Sequence, residues 1–98
     1  MKNNFSKYQG LGNDFIIIDA RGNDLDYLFS NNKYKIIQHL CNRYFGIGAD
    51  GVILVLESNN KCQVRMKIFN SDGSEPEMCG NGIRCLIAFL NDNNEINV

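Results

Sequence analysis

The sequence predicts an α+β domain in which twisted, mixed but mostly antiparallel strands wrap around one buried helix. Three observations predict it. The stretch "CQVRMKIF", residues 62–69, alternates apolar and polar side chains, the period of a strand with one buried face. Two short apolar runs, "FIII" and "VILVL", are bounded by Gly, Asn and Asp, as strands between turns are. Residues 83–90, "IRCLIAFL", are apolar nearly all round when set on a helix, which suits a helix inside a core.

The elements follow in order. "NFSKYQGLGNDFIIID" begins extended, turns at Gly10 and Gly12, and enters an apolar strand at Phe15–Ile18. Gly tolerates the positive φ of a tight corner, so this opening reads as a β-hairpin. "ARGND" ends the strand. From Asn32 to Phe45, Tyr34, Ile37, Leu40, Cys41, Tyr44 and Phe45 recur at helical spacing, with Asn31 or Asn32 as cap and Gly46 as stop. Cys41 lies on this stripe and reads as core filler. His39, on the same helix, reads as partly buried packing without a chemical role.

"GIGADG" sets glycines at 46, 48 and 51 in the G-x-G-x-x-G spacing of a dinucleotide-binding turn. That turn follows a strand and opens a helix, so that the helix N-terminus meets the pyrophosphate. Here the helix precedes and the strand Val52–Leu56 follows, so the glycines mark a helix-to-strand turn. After "SNNK", the strand Cys62–Phe69 is expected to pair with Val52–Leu56 as a hairpin, with Cys62, Val64, Met66 and Ile68 on its buried face. "NSDGSEPEM" is a polar loop. Ile83, Leu86, Ile87 and Leu90 then form the main stripe of the buried helix, before the polar ending "NDNNEINV".

Bulk properties narrow the function classes. Ninety-eight residues, 44% apolar and 21% charged, suit one small globular domain. The net charge is −1 and the basic residues are scattered, which argues against a nucleic-acid footprint. The longest apolar runs are far too short to span a bilayer, and "MKNNFSKYQGLGND" holds no apolar secretory segment. The expectation is a cytoplasmic chain with reduced thiols, with neither nucleic acid nor membrane as partner. Cys41, Cys62, Cys79 and Cys85 are separated by 20, 16 and 5 residues, without a Cys-x-x-Cys pair, so no metal site is expected.

Cys79 has a different setting. It follows a polar loop and stands at the head of the apolar helix. The first N–H groups of a helix lack partners, and the peptide dipoles add partial positive charge there. Both stabilise a thiolate, the form that acts as nucleophile or base. Gly80 and Gly82 leave backbone N–H groups uncovered, which suits a bound carboxylate, and the Asn81 amide can donate to the same anion. Position alone leaves a structural cysteine at a helix cap as an equal alternative.

"NSDGSEPEMCGNGIR", Asn70–Arg84, resembles the active-site signature of diaminopimelate epimerases: Asn-x-Asp-Gly-Ser, four residues, then Cys-Gly-Asn-Gly-x-Arg. "FSKYQGLGNDFIIID" resembles the family's N-terminal strand–turn–strand and "NRYFGIGADGVILV" its helix–turn–strand segment, in the same order. The resemblance implies a cofactor-independent epimerase that interconverts LL- and meso-diaminopimelate, in the route to lysine and peptidoglycan precursors. One thiol removes the α-hydrogen and a second, on the opposite face, returns it. It implies Cys79 as one of these thiols, Gly80 and Asn81 as binders of the α-carboxylate and amino-acid head, and Asn13 and Asn70 as further substrate contacts. Asp72, Gly73 and Ser74 shape the loop, and Cys85 matches a family cysteine without a catalytic role. A glutamine that contacts substrate in some members is replaced here by Gly51.

Each family enzyme has two similar domains in a chain more than twice this length, each a barrel-like sheet around a helix. Residues 1–98 resemble most of the N-terminal one, without its closing strands. Sheet edges and part of the helix are therefore expected to be exposed. The second domain, with the second thiol, lies outside this chain, so the segment alone is expected to be inactive. The complete enzyme would be able to form a homodimer. Two other readings are a related cofactor-free amino-acid racemase or isomerase, and an inactive domain kept as a binding module.

Overall fold

The structure, a computed structural model, describes residues 5–10, 12–22, 34–57, 64–76 and 80–93. Cys62, Cys79 and the proposed caps Asn31 and Asn32 lie outside them.

Strands β1 (Phe5–Gly10) and β2 (Asn13–Asp19) pair antiparallel, with Gly10 opposite Asn13, so two residues make the turn. Gly12, with φ of 93°, supplies the left-handed conformation that so short a connection demands. The hairpin read from "YQGLGND" is thus present. Strands β3 (Gly51–Glu57) and β4 (Val64–Asn70) form the second antiparallel pair, with Gly51 opposite Asn70. β2 and β3 run parallel, with Phe15 beside Gly51, so the four-stranded sheet has the order β1-β2-β3-β4. Among the described residues it is a mixed sheet that does not close, in an α+β domain.

Parallel neighbours need a crossover, and helix α1 (residues 34–41 where described) lies within it. The helix was expected to run to Phe45, but it ends at Cys41. The Asn42 side chain accepts hydrogen bonds from the N–H groups of Tyr44 (2.8 Å) and Phe45 (2.9 Å), replacing the next helical turn with a local one. Tyr44 and Phe45 therefore leave the expected apolar stripe and are 91% and 81% exposed. Tyr34 and His39 are exposed as well, which corrects the packing role read for the histidine. Ile37 and Cys41 remain, buried, as the face that α1 presents.

Helix α2 (Gly80–Asp92) is longer than the apolar stretch that predicted it. It buries Gly82, Cys85, Leu86, Phe89 and Leu90, while Ile83 and Ile87, expected on the main buried stripe, are 40% exposed: the face turned to the core includes Cys85 and Phe89 instead, and the helix is covered on one side by the described residues.

Period-2 alternation on the central strands divides the core between two faces. Ile16, Ile18, Val52, Leu54 and Leu56 point toward α1 and cluster with Ile37 and Cys41. Phe15, Ile17, Ile53 and Val55 point the other way and cluster with Cys85, Leu86, Phe89 and Leu90 of α2. Val64, Met66 and Ile68 of β4 pack on this second cluster, as their alternation predicts. Each fully buried Ile or Leu contributes about 1.5–3 kcal/mol, so the two central strands anchor the domain. Among the described residues no helix is long and apolar enough to cross a membrane.

Candidate functional site

The strand registers bring one end of the sheet together. Asn13 opens β2, Gly51 opens β3 and Asn70 closes β4, and pairing sets Phe15 beside Gly51 and Gly51 beside Asn70. The first turn of α2 lies over the same end. A side-chain carbon on Gly10, at the close of β1, would sit 3.1 Å from the Asn81 carbonyl oxygen and 3.3 Å from the Cys85 sulfur, so the glycine permits the approach. Across it the Asn81 Nδ2 donates to the Asn13 Oδ1 at 2.8 Å, joining residues that are 68 positions apart. The first turn of α2 carries no acidic residue, so no carboxylate of its own competes for the amide hydrogens at the helix head.

Two of the sequence-derived site residues, Asn13 and Asn81, are therefore in contact. Gly80 adjoins them and is exposed. Asn70 reaches the same sheet end but is engaged with its own loop. Its Nδ2 donates to Ser74 Oγ at 3.0 Å, and its backbone N–H donates to the Ser74 carbonyl at 2.7 Å. Asp72 accepts from both the N–H and the hydroxyl of Ser74, which hold its carboxyl below the usual range. Gly73, with φ of 92°, completes the turn. These contacts match the loop-shaping role read for Asp72, Gly73 and Ser74. Cys79 precedes Gly80 in the chain and lies outside the described residues.

Gly51, where the sequence departs from some family members, is buried between neighbours. A side-chain carbon there would meet the Phe69 carbonyl oxygen at 2.5 Å and the Phe15 ring at 3.0 Å. The space that a longer residue would need is filled by this chain's own Phe15 and β4 backbone.

Sequence reasoning missed a charged cluster behind the asparagines. Parallel pairing sets Asp14 and Asp50 side by side at the strand starts. The Asp14 N–H donates to Asp50 Oδ2 (3.0 Å), and the Asp50 N–H donates to the Asp14 carbonyl (2.9 Å) and to Asp14 Oδ1 (3.1 Å). Arg43 bridges both carboxylates at 3.0 and 3.2 Å, and Lys7 reaches Asp14 at 3.1 Å. Hydrogen bonding to Arg43 is the main reason the Asp14 carboxyl lies well below its ordinary range; burial opposes it, and Lys7 and Asp50 add to it. Two cations face two anions, so the charges of this cluster offset one another. The only hint in the sequence is an Asp shortly after each Gly-rich turn, in "GND" and "GAD"; the parallel register that pairs them is not local information.

Cys41 and Cys85 are buried thiols. Burial, aided by the Asp14 and Asp50 charges and opposed by Arg43, pushes the Cys41 thiol up to about 11. It is protonated at neutral pH and acts as core filler, as expected from its stripe. Among the described residues no group of His, Cys, Asp or Glu could hold a metal ion.

The family model described as diaminopimelate epimerase matches residues 5–97. The chain belongs to the diaminopimelate epimerase family. The diaminopimelate epimerase of Prochlorococcus marinus (strain NATL1A) is 86% identical over 97 residues, covering 99% of this chain and 34% of that protein. That of Nostoc punctiforme is 59% identical over 88 residues, covering 90% of this chain and 30% of the relative. This epimerase-family chain thus spans about a third of the length of the curated relatives it matches. A PhzF-family phenazine biosynthesis protein from Bacillus anthracis superposes with a TM-score of 0.67 at 24% identity, over all of this chain and 31% of that one. That likeness shows a shared fold.

Proposed function

We propose that this epimerase-family chain is the part of a cofactor-independent diaminopimelate epimerase that carries one of two acid/base thiols. The observation that carries the reading is the Asn13–Asn81 hydrogen bond, which joins the first and last matching sequence segments at the head of α2, with Asn81 two residues after Cys79 in sequence. The backbone N–H groups of Gly80 and Asn81 bind the substrate α-carboxylate, as orphan amides at a helix head bind anions. Asn13 and Asn70 contact the rest of the amino acid. Carboxylate binding at that head also stabilises the negative charge that develops as the α-hydrogen leaves. Cys79, as thiolate, takes that hydrogen, or as thiol returns it, according to which epimer is bound. The second thiol belongs to a second domain in sequence beyond these 98 residues, so the reaction needs both parts. The setting is the cytoplasm, in lysine and peptidoglycan precursor synthesis.

The test replaces the matching third of the Prochlorococcus marinus relative with this chain, a conservative exchange at 86% identity. The chimera is expected to interconvert LL- and meso-diaminopimelate and to leave proline unchanged. Cys79→Ala is expected to lower α-hydrogen exchange with deuterated solvent by about 10²- to 10⁴-fold, the usual share of one general acid or base. A chimera that folds but turns over no diaminopimelate refutes the reading, and an unchanged exchange rate in Cys79→Ala shows that thiol to be structural.

A further inference from the structure

We propose that Asp50 is a positioning residue: its carboxylate fixes which way the Asn13 amide faces and, through Asn13, the orientation of Asn81. The proposal rests on the reading of Asn13 and Asn81 as substrate contacts. A primary amide is nearly symmetric in shape and opposite in chemistry, since one branch only accepts and the other only donates. Its neighbours therefore decide its orientation. Among the described residues Asn13 has one hydrogen-bond neighbour on each branch. Its Nδ2 faces Asp50 Oδ2 at 3.5 Å, and its Oδ1 accepts from Asn81 Nδ2 at 2.8 Å.

An ionised carboxylate offers no hydrogen. If Asn13 turned over, two oxygens would face each other at Asp50 and two NH₂ groups would face each other at Asn81. The 3.5 Å contact is long for a hydrogen bond, so what Asp50 supplies is a sign rather than a strong bond. Asp50 can impose that sign because it is itself fixed. Its Oδ2 accepts from the Asp14 N–H and its Oδ1 from Arg43, while its own N–H donates to Asp14. The polarity passes from the charged frame at the strand starts to Asn13 and then to the first turn of α2.

The test uses the chimera described above, labelled with ¹⁵N. Asp50→Asn keeps the side chain's shape but adds a donor, so Asn13 loses its single preference. The side-chain amide resonances of Asn13 and Asn81 are expected to move together, while that of Asn70, held by Ser74, stays. The value of kcat/KM is expected to fall about tenfold, and in an Asn13→Ala background Asp50→Asn should cost less than about twofold more, because its effect runs through Asn13. Unmoved Asn13 and Asn81 resonances overturn the proposal whether or not the chimera is active. A full tenfold loss retained in the Asn13→Ala background also overturns it. The unaltered protein gives a second measurement that needs no variant: one Nδ2 hydrogen of Asn81 should exchange with solvent more slowly than its partner, and equal exchange refutes the ordered pair. Failure of the epimerase reading shows instead as absent turnover in the parent chimera, with these resonances in place.

Discussion

Two helices reach the same end of the sheet, and they are fastened there by different forces. The end of α1 is tied by backbone and charge. The N–H groups of Ile47 and Gly48 both donate to the Leu40 carbonyl, Ala49 donates to that of Cys41, and Arg43 clamps Asp14 to Asp50. α1 also braces the Asn70 loop, with Gln38 donating to the Asp72 carbonyl at 3.1 Å. The head of α2 rests on the β1–β2 hairpin, through a neutral amide pair to Asn13 at the start of β2 and a close approach at Gly10 at the end of β1. The difference separates frame from instrument. The charges on the α1 side are paired with one another, and the neutral groups stand at the head of α2, the proposed place of the substrate carboxylate.

Two glycines give the largest expected contrast. A side-chain carbon on Gly46 would collide with the His39 carbonyl oxygen and sit 2.9 Å from that of Leu40, both backbone atoms inside the tied end. Gly46→Ala is expected to destabilise the protein by about 3 kcal/mol, the upper end of overpacking costs. On Gly10 the same carbon meets Asn81 and Cys85 at 3.1 and 3.3 Å, where a shift of a few tenths of an ångström suffices. Gly10→Ala is expected to cost about 1 kcal/mol in stability, yet to lower kcat/KM about tenfold, because it displaces the head of α2. Urea unfolding and steady-state kinetics of the chimera carrying each variant check the pair. Equal stability losses would break the distinction between a rigid end and an adjustable one.

The sequence showed the adjustable end more plainly than the rigid one. The hairpin turn at Gly10 and Gly12, the α2 stripe and the segment around Asn81 are local patterns, and local patterns can be read. What brings Asn13 to Asn81 is pairing between distant segments; it was implied only by the family resemblance. The clamp was harder still. It depends on β2 lying parallel to β3, which periodicity does not report, and on α1 stopping at Cys41. That stop comes from one side chain, Asn42, turning its amide oxygen onto the next N–H groups, against an apolar spacing that continues through Tyr44 and Phe45. Arg43 was given no role by the sequence and is the bridge between two carboxylates.

The charge on the α1 side can be tested by acid. Because Arg43 and its neighbours hold the folded Asp14 carboxyl below its ordinary value, the unfolded chain binds the proton more readily. The contribution of this group is therefore complete above the unfolded value, about 3.9, and is lost as pH falls through the lower, folded one. Arg43→Gln removes the largest cause of the shift. The difference in unfolding stability between neutral pH and a pH below about 4 should then shrink relative to the parent, since Asp14 protonates at closer to the same pH in both states. An unchanged difference would mean that Lys7 and the Asp50 N–H hold Asp14 without the arginine, and that the clamp is hydrogen-bonded rather than ionic.

The smallest expected effect lies at the far end of α2. The Tyr8 hydroxyl donates to Asp92, and the Tyr8 ring meets Phe89 edge-on, centroids 6.1 Å apart. Tyr8→Phe keeps the ring contact and removes the hydrogen bond, an expected loss of about 0.5–1 kcal/mol. The bond to Asp92, then burial, then the carboxylate's charge push the Tyr8 phenol up to about 12. A raised folded value means that the stabilisation is complete below the unfolded value of about 10 and is lost as pH rises toward 12. The parent should therefore lose stability across that window faster than Tyr8→Phe, and its phenolate absorbance should include a late-titrating group that the variant lacks. Turnover of the chimera should be unchanged, because this contact holds the tail of the helix and the proposed chemistry is at its head. A loss of turnover as large as that expected for Gly10→Ala would mean that the whole helix, and not its first turn alone, is the adjustable part.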